Sequence, residues 1–262
     1  MERLRRKYHL RAVFYQNPKE DSGPVGDAGV GYTKCFHKKP WSESPYLIRN
    51  EIIAAKLGTF IGLPIPPCAV MHSVDGTFWF SSIYFNFDEE ELPKVLPDVI
   101  WKELPYWLSG VTLFDIFIAN GDRHDENLVV DDVLKPKALR VFDHDQSLFG
   151  GATGQPRGIE RLEHCKTLLG LDNDTGGMRN DFIGEITESK HFNKWLNRIG
   201  DIPEWFIKDA VDSTRPYGTT KEEAQACKEF LIDRRKQLGR IVMDNKHYFL
   251  SIHEMKIPGI LL

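Results

Sequence analysis

The sequence predicts an α+β fold with its two kinds of element segregated along the chain: a β-rich first third holding one helix, then a mostly helical remainder. Three observations predict it. Runs rich in aromatic and β-branched residues (Leu10 to Tyr15, Tyr32 to Phe36, and 68–87) all fall before residue 90. A segment over 105–119 is apolar nearly all round, with Trp107, Leu108, Val111, Leu113, Phe114, Phe117 and Ile118, as in a helix buried within a large core. Beyond 181, Trp195, Leu196 and Ile199, then Phe230, Leu231, Leu238, Ile241 and Val242, recur at helical spacing.

The elements follow in order. Residues 8–37 read as strands broken by the loop Ser22-Gly23-Pro24-Val25-Gly26-Asp27-Ala28-Gly29-Val30-Gly31. Residues 44–62 carry helix signals at both ends: Ser44 suits the N-cap, Pro45 the first helical position and Gly62 the left-handed residue past the end, while Pro64 bars continuation. Two strands within 68–87 turn at Asp75-Gly76. The acidic, proline-punctuated stretch Asp88 to Pro97 reads as a connection, dividing the chain into 1–90 and 91–262. Residues 151–180 are rich in Gly, Asp, Asn and Thr and read as loop with short helices; 181–250 reads as helices.

Composition excludes several classes. A net charge of −4 speaks against a nucleic-acid-binding protein, which is usually basic, and no direct nucleic-acid contact is expected. No run of eighteen apolar residues exists, so neither a transmembrane helix nor a membrane partner is expected. The charged start, Met1 to Lys7, has no apolar run of the kind a secretory signal needs. Cys35, Cys68, Cys165 and Cys227 stand singly, with no C-x-x-C pair, as reduced thiols of a cytoplasmic protein do.

Residues 120–143 carry the chemistry. Leu128-Val129-Val130 and Ala138 to Phe142 read as two short strands joined by a polar loop. Folded symmetrically about Lys135, the hairpin sets residue 128 against 142 and Asn127 against Asp143, although sixteen positions separate the last two. An amide oxygen beside a carboxylate suits Mg²⁺, a hard cation that takes oxygen ligands and substrate phosphates. Asp122, five positions before Asn127, follows the buried helix and would accept a proton from an incoming hydroxyl. Asp, Asn and Gly are also ordinary turn formers, and D-x-x-x-x-N alone says little. The buried helix, G-D-R-H-x-x-N, a strand and an apolar-Asp pair together form the layout of a kinase catalytic loop. Asp145 suits either a second metal ligand or a cap on the next turn.

Two further features bear on phosphate binding. Glu51 lies on its helix among Leu47, Ile48, Ala54 and Ala55, where an unpaired carboxylate is costly. Lys34, alternating with Tyr32 and Phe36 on one strand face, is a candidate partner; another cation, or a wetter helix face, would serve as well. The glycines at 23, 26, 29 and 31 suit a flexible cover over phosphates, since backbone N–H groups without a Cβ approach closely.

Gly121-Asp122-Arg123-His124-Asp125-Glu126-Asn127, followed by Val141-Phe142-Asp143-His144-Asp145, resembles the HipA-like kinases of bacteria. It is also similar to the phosphoinositide 3- and 4-kinases. Gly29-Val30-Gly31-Tyr32-Thr33-Lys34-Cys35-Phe36, and Asn50-Glu51 on a helix running into Leu57-Gly58 and Gly62-Leu63-Pro64-Ile65-Pro66, resemble the small lobe of the HipA-like group. The likeness covers about residues 10–150, with weaker support from Phe230 to Lys236. It implies a two-lobed protein-kinase-like fold, with an N-lobe over 1–90 and a C-lobe over 91–262. It implies ATP and Mg²⁺ as cofactors and transfer of the γ-phosphoryl group to a hydroxyl, a serine or threonine of a protein substrate. Asp122 would be the catalytic base, Asn127 and Asp143 the metal ligands, and Lys34 with Glu51, Gly26, Gly29 and Gly31 the nucleotide contacts. Arg123 and His124 would brace the loop. Asp143-His144-Asp145 stands where lipid kinases have Asp-Phe-Gly, which weakens the alternative of a lipid or small-molecule kinase. The other alternative, a non-catalytic ATP-binding module, sits poorly with a full set of catalytic residue types.

Overall fold

The protein is described by a computed structural model over residues 7–13, 30–42, 44–73, 75–83, 92–150, 156–166, 179–185 and 189–249. In chain order the first elements are β1 (Lys7–Val13), β2 (Val30–Lys38), α1 (Leu47–Phe60), β3 (Cys68–His72) and β4 (Phe78–Ile83). The four strands form one antiparallel sheet in the order β1-β2-β4-β3. The turn between β3 and β4 uses the expected chemistry: Gly76 takes φ +84° and the Asp75 carboxylate accepts from Thr77 N at 2.9 Å. β2 runs two residues past the predicted Phe36, and its last residue, Lys38, pairs with Phe80.

α1 starts later than its sequence signals suggest. Ser44 is not its cap, because Ser44 is fully buried and bridged to Trp41, and the N-cap position falls to Tyr46 with no side-chain cap. The C-terminus follows expectation. Gly62 is left-handed at φ +85°, Gly62 N donates to Thr59 O at 3.0 Å and Leu63 N to Gly58 O at 2.9 Å, the paired bonds of a Schellman end. One flank of α1 packs Leu47 and Ile48 onto Phe80 of the sheet; another sends Ile53, Ala54 and Leu57 into the main core.

The remaining elements are α2 (Pro97–Glu103), α3 (Pro105–Phe117), β5 (Asp122–Arg123), β6 (Leu128–Val130), β7 (Leu139–Val141), α4 (Ile159–His164), β8 (Arg179–Asn180), α5 (Ser189–Gly200), α6 (Glu204–Asp212) and α7 (Lys221–Asp244). α3 lies at the centre, its residues Leu108 to Phe117 all buried, as an all-round apolar helix requires. Gly110 lets α5 approach so closely that a Cβ there would lie 2.3 Å from the Trp195 ring. The predicted stripe of Trp195, Ile199, Phe230, Leu231, Leu238, Ile241 and Val242 is buried in the same core. A capping box at Thr220 and Glu223 starts α7. Among the described residues no helix is long and apolar enough to cross a membrane, and no disulfide links the four cysteines.

Candidate active site

α3 delivers the chain into the loop that follows it. Ala119 turns at φ +50°, and Asn120 folds back, its N donating to Asp115 O and its Nδ2 to Asp115 Oδ1, both at 2.8 Å. Two buried guanidinium groups meet the helix's C-terminal carbonyls, where a cation is favoured: Arg234 Nε donates to Ile116 O (2.7 Å) and Arg161 Nη2 to Ala119 O (2.8 Å). Burial pushes Arg234 down to about 10.

Arg123 ties the loop to the core. Its Nε and Nη2 grip both oxygens of Asp115 at 2.9 Å, with both side chains fully buried. Burial would lower the Arg123 pKa, but the Asp115 carboxylate more than offsets this and holds it above the ordinary value. Nη1 donates to Asn127 O at 3.2 Å and Phe142 O at 2.7 Å, tying the start of β6 to the end of β7. Asp115 was missed by sequence reading, yet a lone carboxylate within an apolar helix is itself a demand for a cation. His124 Nδ1 accepts from Glu126 N at 3.2 Å, capping the turn Asp125–Asn127.

The β6–β7 register differs from the symmetric fold by one residue. Leu128 pairs with Val141, so Asn127 lies opposite Phe142, whose N donates to Asn127 O at 3.3 Å. The slip arises in the loop. The Asp131 carboxylate accepts from Lys137 N and Ala138 N, and Asp132 from Leu134 N and Lys135 N, fixing an asymmetric turn. A one-residue slip along a regular strand would reverse the facing of Asp143. Asp143 escapes that rule because it leaves β7 in the left-handed region at φ +64°.

Lys38 is a strand lysine that meets Glu51. Lys38 Nζ lies 2.7 Å from Glu51 Oε1 and 2.6 Å from Asp143 Oδ1. Residues 34 and 38 share strand parity, so alternation alone does not choose between them; the side chain of Lys34 lies outside the described residues. Burial works against the Lys38 ammonium, but Asp143, then Glu51 and Asp145, reverse this and raise its pKa. Burial likewise pushes the Glu51 carboxyl up, and Lys38, then the His144 ring, bring it below the ordinary value. His144, buried beneath the site, approaches Glu51 Oε2 at 3.6 Å. Of the phosphate-cover glycines, Gly31 lies within β2 opposite Ala12, and Gly26 and Gly29 are outside the described residues.

Asn127 is 2% exposed, and its Nδ2 donates to Asp122 O at 2.7 Å. Since Asp122 O is an acceptor, the amide nitrogen must face it, leaving the amide oxygen as the atom for a cation. An amide oxygen and the Asp143 carboxylate are hard donors that fit Mg²⁺ completed by water and phosphate oxygens. Among the described residues no group of three or more His, Cys, Asp or Glu side chains is arranged to hold a metal ion. Asp122 is one-third exposed; its Oδ1 lies 4.0 Å from His124 Nε2. β5, which carries Asp122, pairs in parallel with β8, and Asp181 N donates to Arg123 O at 3.0 Å.

A half-buried lysine thus joins a helix glutamate to the aspartate that follows the hairpin, beside a braced Asp–Asn loop. No protein-family model matches the sequence, and no curated protein matches it. Among solved structures the chain is similar to the Helicobacter pylori proinflammatory kinase CtkA, with a TM-score of 0.56 and 16% identity over 88% of this chain and 96% of that one. It also aligns with a chain of the Shewanella oneidensis MR-1 toxin–antitoxin complex of HipA, HipB and operator DNA. There the TM-score is 0.42 and the identity 12%, over 93% of this chain and 65% of that one, so this chain spans under two thirds of its length. The first likeness shows a shared, kinase-like mixed α/β fold, in keeping with the resemblance to HipA-like kinases that the motifs carry.

Proposed function

We propose that this chain is an ATP- and Mg²⁺-dependent phosphotransferase that moves the γ-phosphoryl group of ATP to the hydroxyl of a protein serine or threonine. One observation carries the reading: the Lys38 ammonium bridges Glu51 and Asp143 at 2.7 and 2.6 Å, next to the loop that holds Asp122 and Asn127. In this reading Lys38 takes the phosphate-binding role assigned to Lys34 from sequence. Asn127 and Asp143 hold Mg²⁺, which when bound offsets phosphate charge. Asp122 aligns the acceptor hydroxyl and takes its proton. Arg123 and His124 act on the loop, not on substrate. The fold shared with CtkA, named a kinase, supports the reaction class; the serine or threonine acceptor rests on the motif resemblance. A two-lobed arrangement belongs to the same proposal, with residues 1–90 as the N-lobe over the nucleotide and residues 91–262 as the C-lobe with the catalytic loop. So does a cytoplasmic setting.

The test is incubation of the chain with γ-labelled ATP and Mg²⁺ against separate pools of protein, lipid and small metabolites. Label on protein serine or threonine is the expected outcome; label confined to lipid or metabolites would reassign the acceptor. Asp122→Ala should lose about 10²–10⁴-fold in transfer, the usual worth of a positioned base. Its melting point should hold, because the side chain is one-third exposed and its Oδ1 comes no nearer than 4.0 Å to the His124 ring nitrogen Nε2. Turnover of that variant near the wild-type rate would overturn the assignment.

A further inference from the structure

The segment that carries Asp143 is conformationally costly. Within 143–150, Asp143 (φ +64°), Leu148 (φ +41°) and Gly150 (φ +70°) lie in the left-handed region, and two of the three carry a Cβ. Such backbone persists only where its surroundings over-determine it. Part of the restraint is internal: Ser147 Oγ and Ser147 N both donate to His144 O, and Gly150 N donates to Ser147 O. More comes from outside the segment: Leu148 N donates to Ile118 O at 2.8 Å, Gly158 N donates to Phe149 O at 2.9 Å, and one side chain of α1 makes three further bonds. Asn50 is fully buried; its Nδ2 donates to Asp145 O at 2.7 Å and Gly150 O at 3.3 Å, and its Oδ1 accepts from Phe149 N at 3.3 Å. One amide thus joins the two ends of the curl. Neither an acid nor an amine does this, because the site presents two carbonyl acceptors and one N–H donor.

We propose that Asn50 is a positioning residue of the phosphotransfer site, setting the place of the Asp143 carboxylate by clamping the backbone that follows it; this rests on the function proposed above. Glu51, its neighbour in sequence, holds Asp143 from the other side through Lys38. Asn50 touches neither Lys38 nor Asp122. Its loss therefore displaces the metal ligand while leaving the phosphate-binding lysine on its glutamate. The effect belongs in kcat and in the demand for Mg²⁺, not in KM for ATP.

The experiment compares the full chain with Asn50→Asp, which keeps the acceptor but sets a charge against two carbonyls, and with Asn50→Ala in case the first fails to fold. Half-maximal transfer should need about 10–100-fold more Mg²⁺, as when a group supporting a metal ligand is removed. kcat should fall about 10²-fold, as for a misplaced reacting group, with KM for ATP close to wild type. Gly110→Ala, destabilised elsewhere by the Trp195 ring, should lower the melting point without changing the Mg²⁺ requirement. Hydrogen exchange supplies a readout that needs no activity: amides 145–150, Phe149 above all, should lose protection in both Asn50 variants. Unchanged protection or an unchanged Mg²⁺ requirement in a folded Asn50 variant overturns the inference. A wild-type chain that transfers phosphate to no pool overturns the phosphotransferase reading and the catalytic half of this inference, while exchange still decides the clamp.

Discussion

Replacing Lys38 by methionine tests the centre of the site through stability as well as activity. The change strands two buried carboxylates, Glu51 with 3% side-chain exposure and Asp143 with 8%. Removing one partner of a buried pair costs about 3–5 kcal/mol. Lys38 itself is 27% exposed, so solvent already screens part of the interaction and the lower end, about 3 kcal/mol, applies. For a chain of this size that corresponds to a fall in melting point of about 6–12 °C. The pH dependence gives a sharper test. In the wild type the folded Glu51 pKa lies below its ordinary value, so its stabilisation is present above about pH 4.5 and is lost as pH falls through the folded value. In the variant the Lys38 charge no longer opposes burial, only the His144 ring and the more distant Arg123 do, and the folded value should rise above the ordinary one. A carboxyl raised in this way stabilises at low pH and loses that contribution as pH rises. The wild-type-to-variant gap should therefore widen between about pH 5 and pH 8, followed by near-ultraviolet circular dichroism during thermal melts. Adding Glu51→Gln should recover much of the loss at the upper pH. A gap that stays flat across this range, or a double variant no better than the single, would refute the charge argument.

Asp115→Asn should cost about 3–5 kcal/mol, because it leaves the fully buried Arg123 charge without its carboxylate; the urea midpoint should fall at unchanged m-value, and phosphotransfer should fall with it as the Asn127–Phe142 tie loosens. Gly110→Ala should destabilise by about 1–3 kcal/mol through overpacking, since the added Cβ meets the rigid Trp195 ring at 2.3 Å; a urea midpoint at or above wild type would show that α3 and α5 separate freely there.

The legible parts of the fold were those that local chemistry decides. The all-round apolarity of α3, the Gly62 ending of α1 and the Asp75-Gly76 turn each depend on a few neighbouring residues, and each is met in the structure. The start of α1 was misread because Ser44 is taken up by a local backbone turn onto Trp41. In the candidate site, Asp122, Asn127 and Asp143 were named from motif spacing, and the hairpin sets Asn127 opposite Phe142, one residue before Asp143. Lys38 was not named, since Lys34 and Lys38 share strand parity and alternation does not distinguish them. Asn50 and Asp115 act through backbone carbonyls and a remote guanidinium, partners that pattern does not name.

Successive residues of an α-helix point about 100° apart, and α1 uses this to serve three regions from one turn. Arg49 reaches Glu223 at the start of α7 (3.3 Å) and Tyr217 O (3.2 Å), Asn50 clamps the 145–150 curl, and Glu51 holds Lys38 of β2. Tyr46 OH also donates to Glu223 at 3.0 Å. Further along, Lys56 pairs with Asp209 of α6 at 2.9 Å and Phe60 packs on Phe206. Rotating this helix by a single residue would take Glu51 off Lys38 and Asn50 off three backbone groups at once, leaving buried polar atoms without partners on two sides. In protein kinases the matching lysine–glutamate pair is assembled by movement of the helix that carries the glutamate. Here the polar contacts of that helix turn must break before the glutamate leaves, so the packing of α1 on its neighbours holds the Lys38–Glu51 pair.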